Sequence, residues 1–451
     1  MSELKISADD LVTALLNLPA ARKVCLLDSC GVSNLGSRYL IAGFDAVEIL
    51  EINESDANKT LEILDEKLSR ENLACIFTIS YEFGLKLNNV KPRPKEFPAF
   101  DEPDVFLALF DCLIIHDYAR GKTFLRGDEK HFAEIEKSLF EAIENQPREF
   151  SETAEKSSVV SNFTRKNYLE TIERIQEFIR CGDTYQTNLT QQLRAFLSEN
   201  LSPEQIFLRL RKNHPAPFAA FLRRETDVVI SASPERFFKV QNAKRKMQNA
   251  ETESVISVSP IKGTRPRGKN SAEDLRLREE LLRSEKDRAE NVMIVDLLRN
   301  DIGRICEYGS VKVGNLCDLE THPTFFHLVS TVRGNLRGDV KFSDILKAVF
   351  PCGSITGAPK IRTMQIIDAL ETAPRGLSMG AIGYSIQNSK FKIQNCIDLS
   401  VAIRTMVIKN QEAIFNVGGG IVIDSISDEE YAETLVKAKA LLKAINAAPK
   451  F

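Results

Sequence analysis

Acidic residues recur at helical spacing in two distant stretches of this 451-residue chain. In Lys286-Asp287-Arg288-Ala289-Glu290 a helix sets both carboxylates on one face, leading into the apolar run Val292 to Leu298. Near the C-terminus Glu430, Glu433 and Lys437 share one face, with Tyr431, Leu435, Ala438 and Leu442 on another. Two such faces meeting across a cleft suit Mg²⁺, a hard ion that keeps several waters and takes one or two carboxylates plus oxygens of an anionic substrate. On spacing alone the commoner reading is a pair of solvated faces, with Glu433 and Lys437 as an ordinary ion pair.

Four further segments could take part in chemistry or binding. Pro260-Ile261-Lys262-Gly263-Thr264 puts a lysine in a Pro/Gly-bounded turn, and a lysine acts as a nucleophile where its surroundings leave the amine neutral. Ser233-Pro234-Glu235-Arg236-Phe237 closes the apolar strand Val228 to Ile230, a place where a carboxyl stays protonated long enough to act as an acid. Gly353 to Lys360 precedes a helix carrying Ile361, Met364, Ile367 and Leu370, so its N-terminal N–H groups, hydroxyls and Lys360 suit an anion. Asn416-Val417-Gly418-Gly419-Gly420 reads as a glycine-rich turn that brings backbone donors close to a ligand. Each has an unreactive alternative: a surface lysine, a strand end, or an empty turn. None of His116, His131, His214, His322 and His327 has metal-ligand spacing, and no Cys-His-Glu triad for hydrolysing glutamine is discernible.

These groups need a scaffold. Thr164 is the N-cap of a helix with Tyr168, Ile172, Ile175 and Ile179 on one face, ended by Gly182. The strand Thr184 to Leu193 follows, its period of two placing Gln186, Asn188 and Thr190 on one unusually polar face. Ala74 to Ser80 and Val105 to Ile115 read as strands, and the polar, aperiodic stretch from Asn145 to Val160 as a linker between residues 1–150 and 161–451. Hydrophobic residues at 43% and charged residues at 27% fit a globular enzyme. A net charge of −3 excludes a general field for nucleic acid or an anionic membrane. Nine scattered cysteines argue for free thiols in a reducing compartment. The acidic N-terminus has no signal-peptide pattern and no segment is apolar enough to span a membrane, so the expected location is the cytoplasm.

Taken in order, GDTYQTNL (182–189), SPERF (233–237), PIKGTRPRG (260–268), KDRAENVMIVDLLRNDIGRI (286–305), FHLVSTVRG (326–334), GSITGAPK (353–360), GAIGYS (380–385), IRT (403–405), GGGIV (418–422) and EEYAETLVKAKA (429–440) resemble the chorismate-utilising enzymes. That family holds the anthranilate synthase and aminodeoxychorismate synthase component I proteins and the isochorismate and salicylate synthases. LLDSCG (26–31) and SYEFGLKL (80–87) resemble the component I proteins more loosely. The resemblance implies an α+β fold, two antiparallel sheets packed as a sandwich flanked by helices, with residues 1–150 and 161–451 intertwined. It implies Mg²⁺ on Glu290 and Glu433, supported through water by Asp287 and Glu430, and gripping the ring carboxylate of chorismate. Arg404, Lys437 and the backbone of Gly418 and Gly419 would hold the other carboxylate, with Thr264, Thr356 and Tyr384 lining the pocket and His327 near the ring. Glu235 would protonate the departing C4 hydroxyl.

Two positions discriminate within the family. Gln186 stands where the isochorismate and salicylate synthases carry a water-activating lysine, which favours ammonia as nucleophile. PIKGT stands where anthranilate synthases resemble PIAGT, and in the aminodeoxychorismate branch that lysine, here Lys262, attacks C2 as C4–O breaks. The product implied is 4-amino-4-deoxychorismate, with ammonia from a separate glutamine amidotransferase subunit. The rivals are anthranilate formation and a silent regulatory paralogue. A tryptophan pocket near Leu27-Asp28-Ser29 is left open.

Overall fold

A computed structural model describes residues 2–32, 38–98, 100–144, 156–243, 253–321, 325–386 and 396–447. Most of the expected linker, residues 145–155, lies outside them, as does His322. Among the described residues no helix is long and apolar enough to cross a membrane.

Two antiparallel sheets form the body, one of twelve described strands and one of ten. The larger runs Ser2–Leu4, Lys122–Gly127, Cys112–Asp117, Tyr39–Gly43, Cys25–Asp28, Phe218–Arg223, Val228–Ser233, Thr405–Lys409, Glu412–Ile421, Gln186–Phe196, Gly357–Ala358, with Ser158–Ser161 also on Gln186–Phe196. The smaller runs Ile261–Pro266, Phe325–Asn335, Glu253–Val258, Arg236–Ala243, Cys396–Val401, Ala381–Ile386, Ala74–Ile79, Val105–Phe110, Glu48–Ile52, with Lys312–Thr321 also on Phe325–Asn335. Strands from either side of residue 150 share both sheets: Cys25–Asp28 pairs with Phe218–Arg223, and Ala74–Ile79 with Ala381–Ile386.

Between the sheets lies one apolar layer, in which Ile76, Phe106, Ala108 and Ile382 meet Cys25, Ile41, Leu222 and Val407. Val105–Phe110 and Cys112–Asp117 are covered on both faces and buried at every position, and all but the terminal His116 and Asp117 are apolar. The run read as one strand from Val105 to Ile115 is therefore two strands in different sheets, parted at Asp111.

Helices cover the outer faces, and three of them position the chemistry. Arg165–Arg180 starts at Thr164, whose hydroxyl accepts from Asn167 N at 3.2 Å, and ends before Gly182 at φ +78°. Its Tyr168, Ile172 and Ile175 pack with Leu189, Ile421 and Tyr431. The Tyr168 and Tyr431 rings lie 5.6 Å apart, which fixes the rotation of the helix Ser427–Ala444. Glu285–Gly303 starts at Ser284, which caps Asp287 N at 3.2 Å, and buries Asn291, Ile294, Val295 and Leu298. The Asn291 side-chain amide donates to Leu328 O at 3.3 Å and so pins the helix beside Glu290 to the smaller sheet.

Candidate active site

The three glycines 418–420 are strand, not turn: they belong to Glu412–Ile421 and pair with Leu189, Thr190 and Asn188 of Gln186–Phe196. Their bare backbone lets groups from both sheets and two helices converge. A Cβ on Gly419 would lie 3.2 Å from Glu430 Oε2, 3.8 Å from Glu433 Oε1 and 3.9 Å from Lys437 Nζ. One on Gly420 would lie 2.3 Å from Gln186 Nε2 and 3.6 Å from Lys262 Nζ.

Lys262 likewise sits in a strand, Ile261–Pro266, at a bulge where Gly263 takes φ +79°. The bulge aims its side chain inward: it is 14% exposed, with Nζ 4.0 Å from Glu290 Oε2. Gly263 also admits the helix Glu285–Gly303, because a Cβ there would lie 2.9 Å from the Cβ of Asp287. Asp287 itself pairs with Arg265 at 3.2 Å.

The two acidic helices face one another. Lys286 Nζ lies 3.6 Å from Glu430 Oε1, and Ser425 Oγ donates to the same oxygen at 2.7 Å. Burial holds the Glu290 carboxyl above its usual range; Lys262 and Lys286 pull it down, while Asp287 and Glu430 add to the rise. For Glu433 burial also works upward, but Lys437, Lys286 and Lys262 outweigh it and the net shift is down. Lys437 Nζ contacts Glu433 at 2.6 Å and donates to Gly418 O at 2.9 Å. Among the described residues no three His, Cys, Asp or Glu groups are gathered to enclose an ion. The helices instead present carboxylates from opposite sides, with lysine ammonium groups beside them.

Glu235 follows the strand Val228–Ser233 and is 8% exposed. Burial raises its carboxyl above the ordinary range, against a hydrogen bond from Ser354 Oγ (2.9 Å to Oε1) and the charges of Lys262 and Lys437. Such a carboxyl keeps its proton where an exposed one gives it up. Gln186 is wholly buried, and neither end of its amide has a partner among the described residues. Buried amides are normally bonded, so an orphan beside Lys262 marks space for a polar ligand.

Arg404 takes φ +49° directly before Thr405–Lys409, which pairs with Val228–Ser233 on one side and Glu412–Ile421 on the other. It therefore stands at the sheet end that carries Glu235 and the glycines. Burial lowers its pKa, and among the described residues its guanidinium has no ion-pair or hydrogen-bond partner. Thr264 Oγ1 and His327 Nδ1 are 2.9 Å apart across the pair of strands that carries Lys262.

Two expected pocket residues are placed differently. Thr356 lies in the loop beside Gln186, accepting at its carbonyl from Asn188 N at 2.8 Å, but its hydroxyl is spent on Cys352 O at 3.0 Å. Tyr384 lines a separate cavity between the sheets with Asp28, Ser29, Tyr39, Phe218 and Asp398, because its strand, Ala381–Ile386, lies in mid-sheet away from the glycines. Lys360 is likewise not free for an anion, since its Nζ contacts Asp301 at 2.7 Å. Ser354, the partner of Glu235, was visible in the sequence only as one hydroxyl of GSITGAPK.

Comparison with known proteins shows the family and the fold. The family model for chorismate binding enzymes matches residues 25–443. The chain is 40% identical over 410 residues to aminodeoxychorismate synthase component 1 of Escherichia coli (strain K12), covering 87% of this chain and 85% of that protein. It is 36% identical over 366 residues to anthranilate synthase component 1 of Aquifex aeolicus (strain VF5), covering 76% and 69%. The crystal structure of anthranilate synthase component I from Streptococcus pneumoniae TIGR4 superposes with a TM-score of 0.74 at 28% identity, over 91% of this chain and 93% of that one. With Lys262, Glu290 and Glu433 drawn around the glycines of one strand and the family model spanning nearly the whole chain, the protein belongs to the chorismate binding enzymes.

Proposed function

We propose that the chain aminates chorismate at C4, using ammonia from a glutamine amidotransferase subunit and giving 4-amino-4-deoxychorismate for p-aminobenzoate and folate synthesis. The observation that carries this reading is the meeting of the Lys262 amine with the unpartnered Gln186 amide at Gly420, beside Glu290. A lysine there supplies an internal nucleophile, and a glutamine in place of a basic side chain leaves water without a general base.

The residues fit Mg²⁺: the donors are carboxylates from facing helices, and the rise in Glu290, due first to burial and further to Asp287 and Glu430, is what a cation between them would relieve. Glu290 and Glu433 would hold the ion, with Asp287 and Glu430 supporting through water. When bound, it supplies Lewis-acid polarisation of the ring carboxylate. The other carboxylate meets Arg404, whose unpaired guanidinium calls for an anion, with Lys437 and the Gly418–Gly419 backbone alongside.

The chemistry then divides into two displacements. In its neutral form the Lys262 amine forms a bond to C2, the ring double bonds shift, and C4–O breaks while Glu235 gives its proton to the leaving hydroxyl, releasing water. Ammonia, steered by Gln186, attacks C4; the double bonds shift back, the C2–N bond to Lys262 breaks, and a proton from the new ammonium returns to Glu235. Thr264 and His327 flank the ring. The cavity around Tyr384, with aromatic Tyr39 and Phe218 and polar Asp28 and Ser29, is the place for bound tryptophan.

Lys262→Ala tests the nucleophile. Turnover with ammonium should fall at least about a hundredfold, roughly 2.7 kcal/mol, while Mg²⁺-dependent chorismate binding by calorimetry stays within about threefold, or 0.6 kcal/mol. Turnover at the wild-type rate would remove Lys262 from the mechanism.

A further inference from the structure

Arg375 is 3% exposed, lies outside the residues assigned above, and directs four of its five N–H donors to neighbours of the site. Its Nε and one terminal nitrogen grip Glu371 at 2.9 and 2.7 Å, a planar two-point pairing that fixes the orientation of the fork. The fork then reaches two backbone carbonyls, Ile355 O at 2.9 Å and Asn188 O at 2.8 Å. Ile355 directly follows Ser354, whose hydroxyl donates to Glu235 at 2.9 Å. Asn188 shares a strand face with Gln186, two residues away, and its N–H closes the same joint by donating to Thr356 O at 2.8 Å. Glu371 is anchored in turn by the N–H and hydroxyl of Thr190 at 2.7 and 3.0 Å.

We propose that Arg375 is a positioning residue for the reaction: its guanidinium locks the Ser354 loop to the Gln186 strand and so sets where Glu235 and Gln186 stand relative to one another. The inference rests on the reading of Glu235 as proton donor. Only Arg fits this joint, because a lysine ammonium has no planar fork to satisfy a carboxylate and two divergent carbonyls at once. The groups facing Glu235 are Ser354, Cys352, Lys262 and Lys437, so the joint reaches it through Ser354.

The test compares Arg375→Lys, Ser354→Ala and their double variant, measuring kcat, the KM for chorismate, the pH profile at fixed free ammonia, and thermal unfolding. Loss of the Ser354 bond removes an interaction that favours ionised Glu235, so the alkaline limb of the profile should move to higher pH in Ser354→Ala. Arg375→Lys should move that limb the same way and lower kcat about tenfold or more, with the KM for chorismate within about twofold. The double variant should fall no more than about twofold below Ser354→Ala. Should Arg375→Lys fail to fold, Thr190→Val, which removes one anchor of Glu371, carries the test with a smaller shift in the same direction. A folded Arg375→Lys with wild-type kcat and limb, altered only in unfolding temperature, overturns the proposal. So does Thr190→Val with an unmoved limb. Failure of the underlying reading looks different: Glu235→Gln would then retain wild-type turnover.

Discussion

Adding one methyl group in turn to each of the three successive glycines should break the protein in three different ways. On Gly420 a Cβ would lie 2.3 Å from Gln186 Nε2, and since ordinary contact begins near 3.4 Å the amide must retreat by about 1 Å. The Gln186 side-chain amide makes no hydrogen bond among the described residues, so its retreat costs little stability, within about 1 kcal/mol. A displacement of that size beside the reacting atoms lowers kcat about a hundredfold. On Gly419 the nearest atom is Glu430 Oε2 at 3.2 Å, tight by a few tenths of an ångström, so Gly419→Ala should keep most of its kcat and need several times more Mg²⁺ for half-saturation. On Gly418 the Cβ would meet the Leu189 carbonyl oxygen at 2.0 Å, which the strand pairing holds in place, so Gly418→Ala should lose cooperative folding. Chorismate consumption with ammonium, an Mg²⁺ titration and thermal unfolding on each variant separate the three outcomes. A folded Gly420→Ala turning over at the wild-type rate would refute the placement of Gln186 at the reacting centre.

Glu82 gives a pH-dependent stability. Burial pushes its carboxyl up to about 8, helped by Glu102 and opposed by the backbone N–H and charge of Arg375. Folded Glu82 therefore holds a proton that the unfolded chain releases near 4.5, and stability should fall as pH rises from about 4.5 to 8. Glu82→Gln should flatten that part of the curve in denaturant titrations across the range; an unchanged slope would contradict the burial argument. Arg404→Gln should raise the KM for chorismate at least about a hundredfold while leaving the unfolding temperature unchanged or higher, because it removes a half-buried cation without a partner among the described residues. A marked loss of stability with an unchanged KM would show that Arg404 serves the fold instead.

The local signals in the sequence led directly to structure where they reflect local physics. The cap at Thr164, the stop at Gly182 and the helical phase of Asp287 with Glu290 depend on neighbours within one turn, and all take the expected form. What sequence periodicity does not encode is which sheet a strand joins. Val105 to Ile115 is apolar on either side of Asp111 because both its strands are covered on both faces, and a single charged residue in such a run does not say that the chain passes there from one sheet to the other. The glycines 418–420 have the composition of a turn, yet they lie inside a strand, kept small by what approaches them across the sheet. Lys262 reads as a turn residue for a similar reason, since the bulge at Gly263 imitates one. The carboxylates, the lysine and Glu235 were legible through a resemblance of motifs in order. The bonds of Ser354 to Glu235 and of Arg375 to Asn188 were not, because they join residues more than a hundred positions apart.

The identity of the product tests the central claim most directly. Incubated with chorismate, Mg²⁺ and ammonium, the purified chain should yield a non-fluorescent product that retains the enolpyruvyl group, with the mass of 4-amino-4-deoxychorismate on separation. A fluorescent anthranilate product, or chorismate left untouched, would contradict amination through Lys262.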